Sequence, residues 1–130
     1  MTDQRARLYN LSSGFADAFN RGNLDDIMDF FAQDAILEDS TGGKHKGKEA
    51  IRAAFRPLVD GGQGKIRFDL EDFFTEVETK KVMIRWTLHT NMEGDWKKRR
   101  GMDILRFSGD KIVEKLAYTK AEVPVLSDGP

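Results

Sequence analysis

The sequence predicts a single α+β domain, three N-terminal helices wrapped by a strongly curved antiparallel sheet. Three observations carry that expectation. Apolar residues recur at three- and four-residue steps through the first third of the chain, as on a helix with one buried face. From Lys65 onward the pattern changes to alternation, the period of a half-buried strand. The breaks between the alternating runs are short, as between antiparallel neighbours.

The first helix carries Leu8, Leu11, Phe15, Ala18 and Phe19 on one stripe. Arg21-Gly22 ends it, because glycine accepts the left-handed conformation in which helices often finish. Asn23 then offers a side-chain oxygen to the free amides of a second helix, with Asp25 and Asp26 in its electropositive first turn. Leu24, Ile27, Met28 and Phe31 form that helix's buried side. Gln33-Asp34 turns into a short strand over Ala35–Asp39, with Ala35, Leu37 and Asp39 on one face, and Ser40 to Gly47 reads as a polar loop. A third helix starts near Lys48 and buries Ala50, Ile51, Ala54, Phe55 and Leu58. Pro57, which lacks an amide hydrogen, should kink or end it, and Asp60-Gly61-Gly62-Gln63-Gly64 breaks the chain.

Four strands follow. Ile66, Phe68, Leu70, Asp72 and Phe74 share one face of the first; Val82, Ile84, Trp86 and Leu88 share one face of the second. Met102 to Phe107 is apolar on both faces apart from Asp103 and Arg106, and Lys111 to Tyr118 closes the series. The breaks are Glu78-Thr79, Glu93-Gly94-Asp95 and Ser108-Gly109-Asp110. A meander with one apolar face must curl over the helices to bury it. The opposite face still carries Met83, Met102 and Ile104, and burial against a second copy is the simplest way to cover them, so a homodimer through the outer sheet face is expected.

Composition bounds the function. At 130 residues the chain fits one domain over 1–130, with 122–130 reading as a loose tail. With 39% hydrophobic and 33% charged residues it has the balance of a globular protein, and no apolar run approaches the length of a membrane span. The first residues lack the layout of a secretory signal, so a cytoplasmic location is expected. Cysteine is absent, which removes disulfide and thiolate chemistry. A net charge of −1 gives no long-range attraction to nucleic acid. The basic clusters Lys44-His45-Lys46-Gly47-Lys48 and Lys97-Lys98-Arg99-Arg100 lack interleaved aromatics and read as a solvated loop and a strand start. Two histidines without metal-site spacing nominate no zinc site, and no glycine-rich nucleotide motif is present; neither metal nor cofactor is expected.

Several runs, in this order and spacing, carry a family resemblance. They are Phe15-Ala16-Asp17-Ala18-Phe19-Asn20-Arg21-Gly22-Asn23, Phe30-Phe31-Ala32-Gln33-Asp34-Ala35-Ile36-Leu37-Glu38-Asp39, Gly47-Lys48-Glu49-Ala50-Ile51, and Gly101-Met102-Asp103-Ile104-Leu105-Arg106-Phe107 followed by Gly109-Asp110-Lys111-Ile112-Val113. Over roughly Leu8 to Ala121 the chain resembles the nuclear transport factor 2-like superfamily, in particular its SnoaL-like and ketosteroid isomerase-like branches. The resemblance implies a cone-shaped fold with an apolar cavity between sheet and helices, and dimers in many members. Isomerases, cyclases, dehydratases, epoxide hydrolases and noncatalytic proteins share this fold, so the fold alone does not set the activity.

Two carboxylates stand out. Asp39 ends a strand in phase with Leu37; it either works at the cavity or caps a loop amide. Asp103 lies in an apolar run in phase with Leu105 and Phe107, so it either pairs with a cation such as Arg85 or stays protonated. The resemblance implies a general-base role for Asp39 and the role of protonated, oxyanion-holding acid for Asp103, following the ketosteroid isomerase logic. The family's tyrosine position falls on Phe15, which cannot donate a hydrogen bond. Loss of one such donor costs about 10²–10³ in rate, which argues against efficient steroid isomerisation. Tyr9 lies six residues away, about 9 Å by helical rise, and does not substitute. The cavity wall is expected from Phe15, Phe19, Phe55, Trp86, Leu105 and Tyr118, around a small apolar molecule. His45 reads as a solvated loop residue near the mouth, and His89 as outward-facing. The expected function is a cofactor-free isomerase or cyclase acting on a carbonyl compound, or a noncatalytic ligand-binding module of the same fold. Epoxide hydrolysis would need an arginine turned inward, which strand parity denies to Arg85 and Arg106.

Overall fold

The computed structural model describes residues 2–61, 65–121, 126 and 128. The expected tail over 122–130 lies outside the described residues except for Leu126 and Asp128, and so does the 62–64 part of the glycine-rich break. Helix α1 spans Thr2–Arg21 and α2 spans Leu24–Asp29. The junction follows its sequence cues. Gly22 sits at φ +69°, and the Asn23 side chain accepts from the Asp26 amide at 3.1 Å. Phe31 is not on α2: that helix stops at Asp29, and Phe31 opens strand β1, Phe31–Glu38, four residues earlier than the alternation indicated. The segment read as a loop contains a further strand, β2, Lys44–Lys46, which folds back on β1. Helix α3 spans Lys48–Val59 and ends two residues after Pro57.

Four long strands follow: β3 Lys65–Glu76, β4 Lys81–Met92, β5 Asp95–Ser108 and β6 Lys111–Thr119. All six form one mixed sheet in the order β2-β1-β6-β5-β4-β3, antiparallel except for the parallel β1–β6 pair. Helix α1 packs on β3 and β4, whereas α3 packs on β1 and β2. Helices that touch both ends of one sheet require the sheet to curve around them. The core lies in that concavity, where Ile27, Phe31, Ile51, Val82, Leu105 and Ile112 are at most 1% exposed.

Two β-bulges reset the side-chain parity that the alternation implied. Between Leu70 and Asp72 the β3 register shifts. The extra residue turns Phe73 toward the core and leaves Phe74 67% exposed, so Asp72 and Phe74 do not share a face with Phe68. In β6 the partner of Arg106 is Glu114 while that of Phe107 is Ile112. Past this irregularity Lys115, Ala117 and Thr119 face the concave side, and Leu116 and Tyr118 face outward. Among the described residues no helix is long and apolar enough to cross a membrane.

Candidate active site

The concave side encloses a cavity of ≈ 480 Å³ between α1, α3 and the sheet. That volume lies in the ordinary range for small-molecule sites, about 300–1,000 Å³. Its aromatic wall is a chain of edge-to-face contacts: Phe15 to Phe19, Phe19 to Phe55, Phe19 to Phe68, and Phe68 to Trp86, with centroids 5.0–5.7 Å apart. Edge-to-face packing places the positive rim of one ring against the negative face of the next. Phe68 is fixed from the side as well. The Asn20 amide donates to the Phe68 carbonyl at 3.0 Å and accepts from its amide at 2.7 Å, so α1 binds the backbone of the edge strand.

At the end of β1 the chain turns back through a glycine-rich hairpin. Asp39 Oδ1 accepts from the Thr41 amide at 2.9 Å, the Thr41 hydroxyl at 2.6 Å and the Gly43 amide at 3.0 Å. A Cβ on Gly43 would stand 2.8 Å from Asp39 Oδ2, so the absent side chain is what lets the hairpin close on the carboxylate. The register places His45 opposite Leu37, on the same inward face. Its Nε2 lies 2.8 Å from Asp39 Oδ2, and both residues line the cavity. These bonds, His45 first and Thr41 next, hold the Asp39 carboxyl well below the usual carboxylate range. An ionised carboxylate only accepts, so His45 Nε2 is the donor in this contact, and in the neutral form of the ring the lone pair falls on Nδ1.

Asp103 and Lys115 form the second polar cluster. Asp103 is 9% exposed, and its Oδ1 lies 3.4 Å from Lys115 Nζ. The same ammonium stands 5.5 Å from the centroid of the Phe55 ring, within cation–π range. Both side chains line the cavity. The cation that pairs with Asp103 is thus Lys115 on the neighbouring strand, not Arg85, which faces outward 3.7 Å from Glu71.

Trp86 pairs with Gly101 in register. A Cβ at Gly101 would meet Trp86 Cη2 at 2.5 Å and Cζ2 at 2.7 Å, so this edge of the indole occupies the space that a side chain would take. Its Nε1 is buried and has no hydrogen-bond partner.

A family model described as a SnoaL-like domain matches residues 13–115. The chain belongs to the SnoaL-like family. Solved structures agree on the fold of this SnoaL-like domain. A putative polyketide cyclase from Xanthomonas campestris pv. campestris superposes with TM-score 0.75 at 20% identity, over 88% of this chain and 91% of that one. The epoxide hydrolase/cyclase-like enzyme SalBIII, described as acting in pyran ring formation in the polyether salinomycin, gives 0.78 at 17% identity over 92% and 95%. AusH from Aspergillus nidulans gives 0.80 at 14% identity over 92% and 87%. At such identities these matches speak for the fold alone. No curated protein matches the sequence.

The structure brings Phe15, Phe19, Phe55, Trp86, Asp39 and Asp103 of the SnoaL-like domain to one cavity. Leu105 is fully buried in the core but does not line that cavity. Tyr118 is a correction: it is 48% exposed on the outer face, because the β6 bulge inverts the parity that placed it inside. His45 is also a correction, half-buried and bonded to Asp39 where a solvated loop residue was expected. Lys115 was missed for the same reason that Tyr118 was misplaced. Arg85 and Arg106 do face outward, the latter beside Glu114 at 3.5 Å, whereas Arg99 joins the cavity lining.

Proposed function

We propose that this SnoaL-like domain is a cofactor-free isomerase- or cyclase-type enzyme that moves a proton next to the carbonyl of a small apolar substrate. The observation that carries the reading is the Asp39–His45 pair at the cavity wall. In it, His45 Nδ1 is the proton acceptor and Asp39 is the positioning residue that fixes the tautomer and stabilises the imidazolium once formed, the logic by which a buried carboxylate serves a catalytic histidine. The apolar wall excludes water from the enolate that results. Cyclase and cyclase-like names among the structural neighbours fit this chemistry.

The test is deuterium uptake at the activated carbon of 2-tetralone in D₂O, followed by proton NMR. The wild type should accelerate uptake over buffer, and His45→Gln should lose roughly 10²-fold or more of that acceleration while keeping its fold. Uptake no faster than in buffer would favour the noncatalytic binding module instead.

A further inference from the structure

The polar groups of this cavity are not all complete. Among the described residues, three buried side-chain polar atoms have no hydrogen-bond partner: Ser12 Oγ, Trp86 Nε1 and Asp103 Oδ1. Ser12 does not line the cavity; Trp86 and Asp103 do, at 6% and 9% exposure. Buried polar atoms are seldom left without partners, since removal from water is costly unless a hydrogen bond replaces it. One of these atoms is a donor and the other an acceptor. Lys115 Nζ approaches Asp103 Oδ1 at 3.4 Å as an ion pair without hydrogen-bond geometry, so the carboxylate oxygen is charge-compensated but still able to accept.

The sheet register fixes how far apart these groups stand. Trp86 pairs with Gly101 and Ile84 pairs with Asp103, so Trp86 and Asp103 are diagonal neighbours on adjacent strands. Such Cα atoms are about 7–8 Å apart, the span of one ring and a substituent. Lys115 is in turn diagonal to Asp103, since Asp103 pairs with Ala117 and Leu105 with Lys115. The three groups therefore stand close enough together for a single ligand to meet them once the Trp86 and Asp103 side chains turn to it, since both orphan atoms are buried in the cavity wall.

We propose that the ligand carries a carbonyl and a hydroxyl on one apolar body, the carbonyl accepting from Trp86 Nε1 and the hydroxyl donating to Asp103 Oδ1 while accepting from Lys115 Nζ. This deepens the reading of the cavity as a carbonyl-substrate site and rests on it. It gives Asp103 the opposite polarity to a protonated acid: Asp103 receives a hydrogen bond, and the donors are the indole and the ammonium. Gly101 is a positioning residue in this scheme, because only a residue without a side chain lets the indole lie against the strand. The specificity follows from the unpaired atoms. A ketone without the hydroxyl leaves Asp103 Oδ1 unsatisfied, and a phenol without the ketone leaves Trp86 Nε1 unsatisfied.

Three probes of nearly equal size separate the contributions: 4-hydroxybenzophenone has both groups, 4-methoxybenzophenone lacks the donor, and 4-benzylphenol lacks the carbonyl. Binding is measured by titration calorimetry on the full chain. The wild type should bind 4-hydroxybenzophenone roughly tenfold more tightly than either of the others, the worth of one hydrogen bond that would otherwise be lost. Trp86→Phe should erase the advantage over 4-benzylphenol and keep the advantage over the ether. The paired replacement Asp103→Leu with Lys115→Met, which removes both charges together and so avoids a lone buried ion, should do the reverse. A wild type with this binding pattern but no proton exchange sinks the catalytic reading and leaves the ligand class standing. Equal affinity for the three probes, binding of none of them, or a Trp86→Phe variant that still prefers the ketone overturns the proposal.

Discussion

His45 Nε2 stands 2.8 Å from Asp39 Oδ2, across a hairpin whose closure depends on Gly43. The contact joins a residue just beyond β1 to one in the middle of β2, so a local turn builds the pair, and the Ser40–Thr119 hydroxyl contact ties that turn to β6. The other carboxylate oxygen is filled by Thr41 and Gly43. Asp39 therefore presents one oxygen to one imidazole in a fixed direction, which suits a residue that positions a base better than one that acts as a base.

Asp39→Asn should show this division of labour. The amide keeps the size of the carboxylate but can turn an N–H toward His45, which would then place its lone pair on Nε2 and lose the basic Nδ1. Deuterium uptake by the variant should fall by about 10²–10⁴ with little change in probe affinity. Were Asp39 itself the base, the His45→Gln variant would retain most of its activity, and comparison of the two variants decides between them.

The same bonds predict an acid limb in stability. The Asp39 carboxyl is held below its ordinary value in the folded chain, so the folded state binds its proton less readily than the unfolded one. Its contribution is fully present above the unfolded value, about 3.9 for an aspartate, and is lost as pH falls through the folded value. Asp69, Glu71 and Asp110, also lowered, act in the same direction. Thermal midpoints should therefore hold down to about pH 5 and decline below it, less steeply for Asp39→Asn than for wild type. An identical slope in both would show that the network does not survive in solution.

Gly101→Ala should be costly although it adds one methyl group. The new Cβ would stand 2.4 Å from the Tyr118 carbonyl oxygen and 2.5 Å from Trp86 Cη2. The indole can rotate away, but the backbone oxygen belongs to the paired strand β6 and cannot yield without loosening the ladder. Overpacking of this kind costs about 1–3 kcal/mol. Urea unfolding should register a lowered midpoint, and Trp86, displaced toward the cavity, should weaken binding of 4-hydroxybenzophenone. A variant as stable as wild type would mean that the strands sit farther apart here.

The helices, the four long strands and the carboxylates at Asp39 and Asp103 were legible because each depends on local periodicity. Two side-chain orientations escaped because of single extra residues. The bulge near Glu71 exchanges Phe74 for Phe73, and the one near Val113 exchanges Tyr118 for Lys115. Alternation gives the face of each residue only relative to its own strand, and an inserted residue leaves no mark in composition. His45 escaped for another reason. Its partner is six residues away across a turn, and Lys44 and Lys46 beside it gave the segment the character of a solvated loop. The signal available was the turn itself, Asp39-Ser40-Thr41-Gly42-Gly43, which is a hairpin connection between two short strands.

Register also sharpens the expectation of a homodimer. On the outer face Met83 pairs with Ile104 and Ile104 with Leu116, while Met102 pairs with Tyr118. These rows form one contiguous apolar stripe across β4, β5 and β6, with Tyr118 48% exposed within it. It is bordered by charge of both signs, Arg85 and Arg100 around Glu71 on one side and Arg106 with Glu114 on the other. A twofold axis through such a face can set apolar stripe on apolar stripe and cation opposite anion, which a self-complementary interface requires. Light scattering after size exclusion should give twice the 14.8 kDa mass of the chain, and the unfolding midpoint should rise with protein concentration. Met102→Glu, which places a carboxylate in the middle of the stripe, should yield the monomer without changing the cavity residues. A wild-type chain that elutes at the monomer mass at micromolar concentration, with a midpoint independent of dilution, would leave this face as solvent-exposed surface.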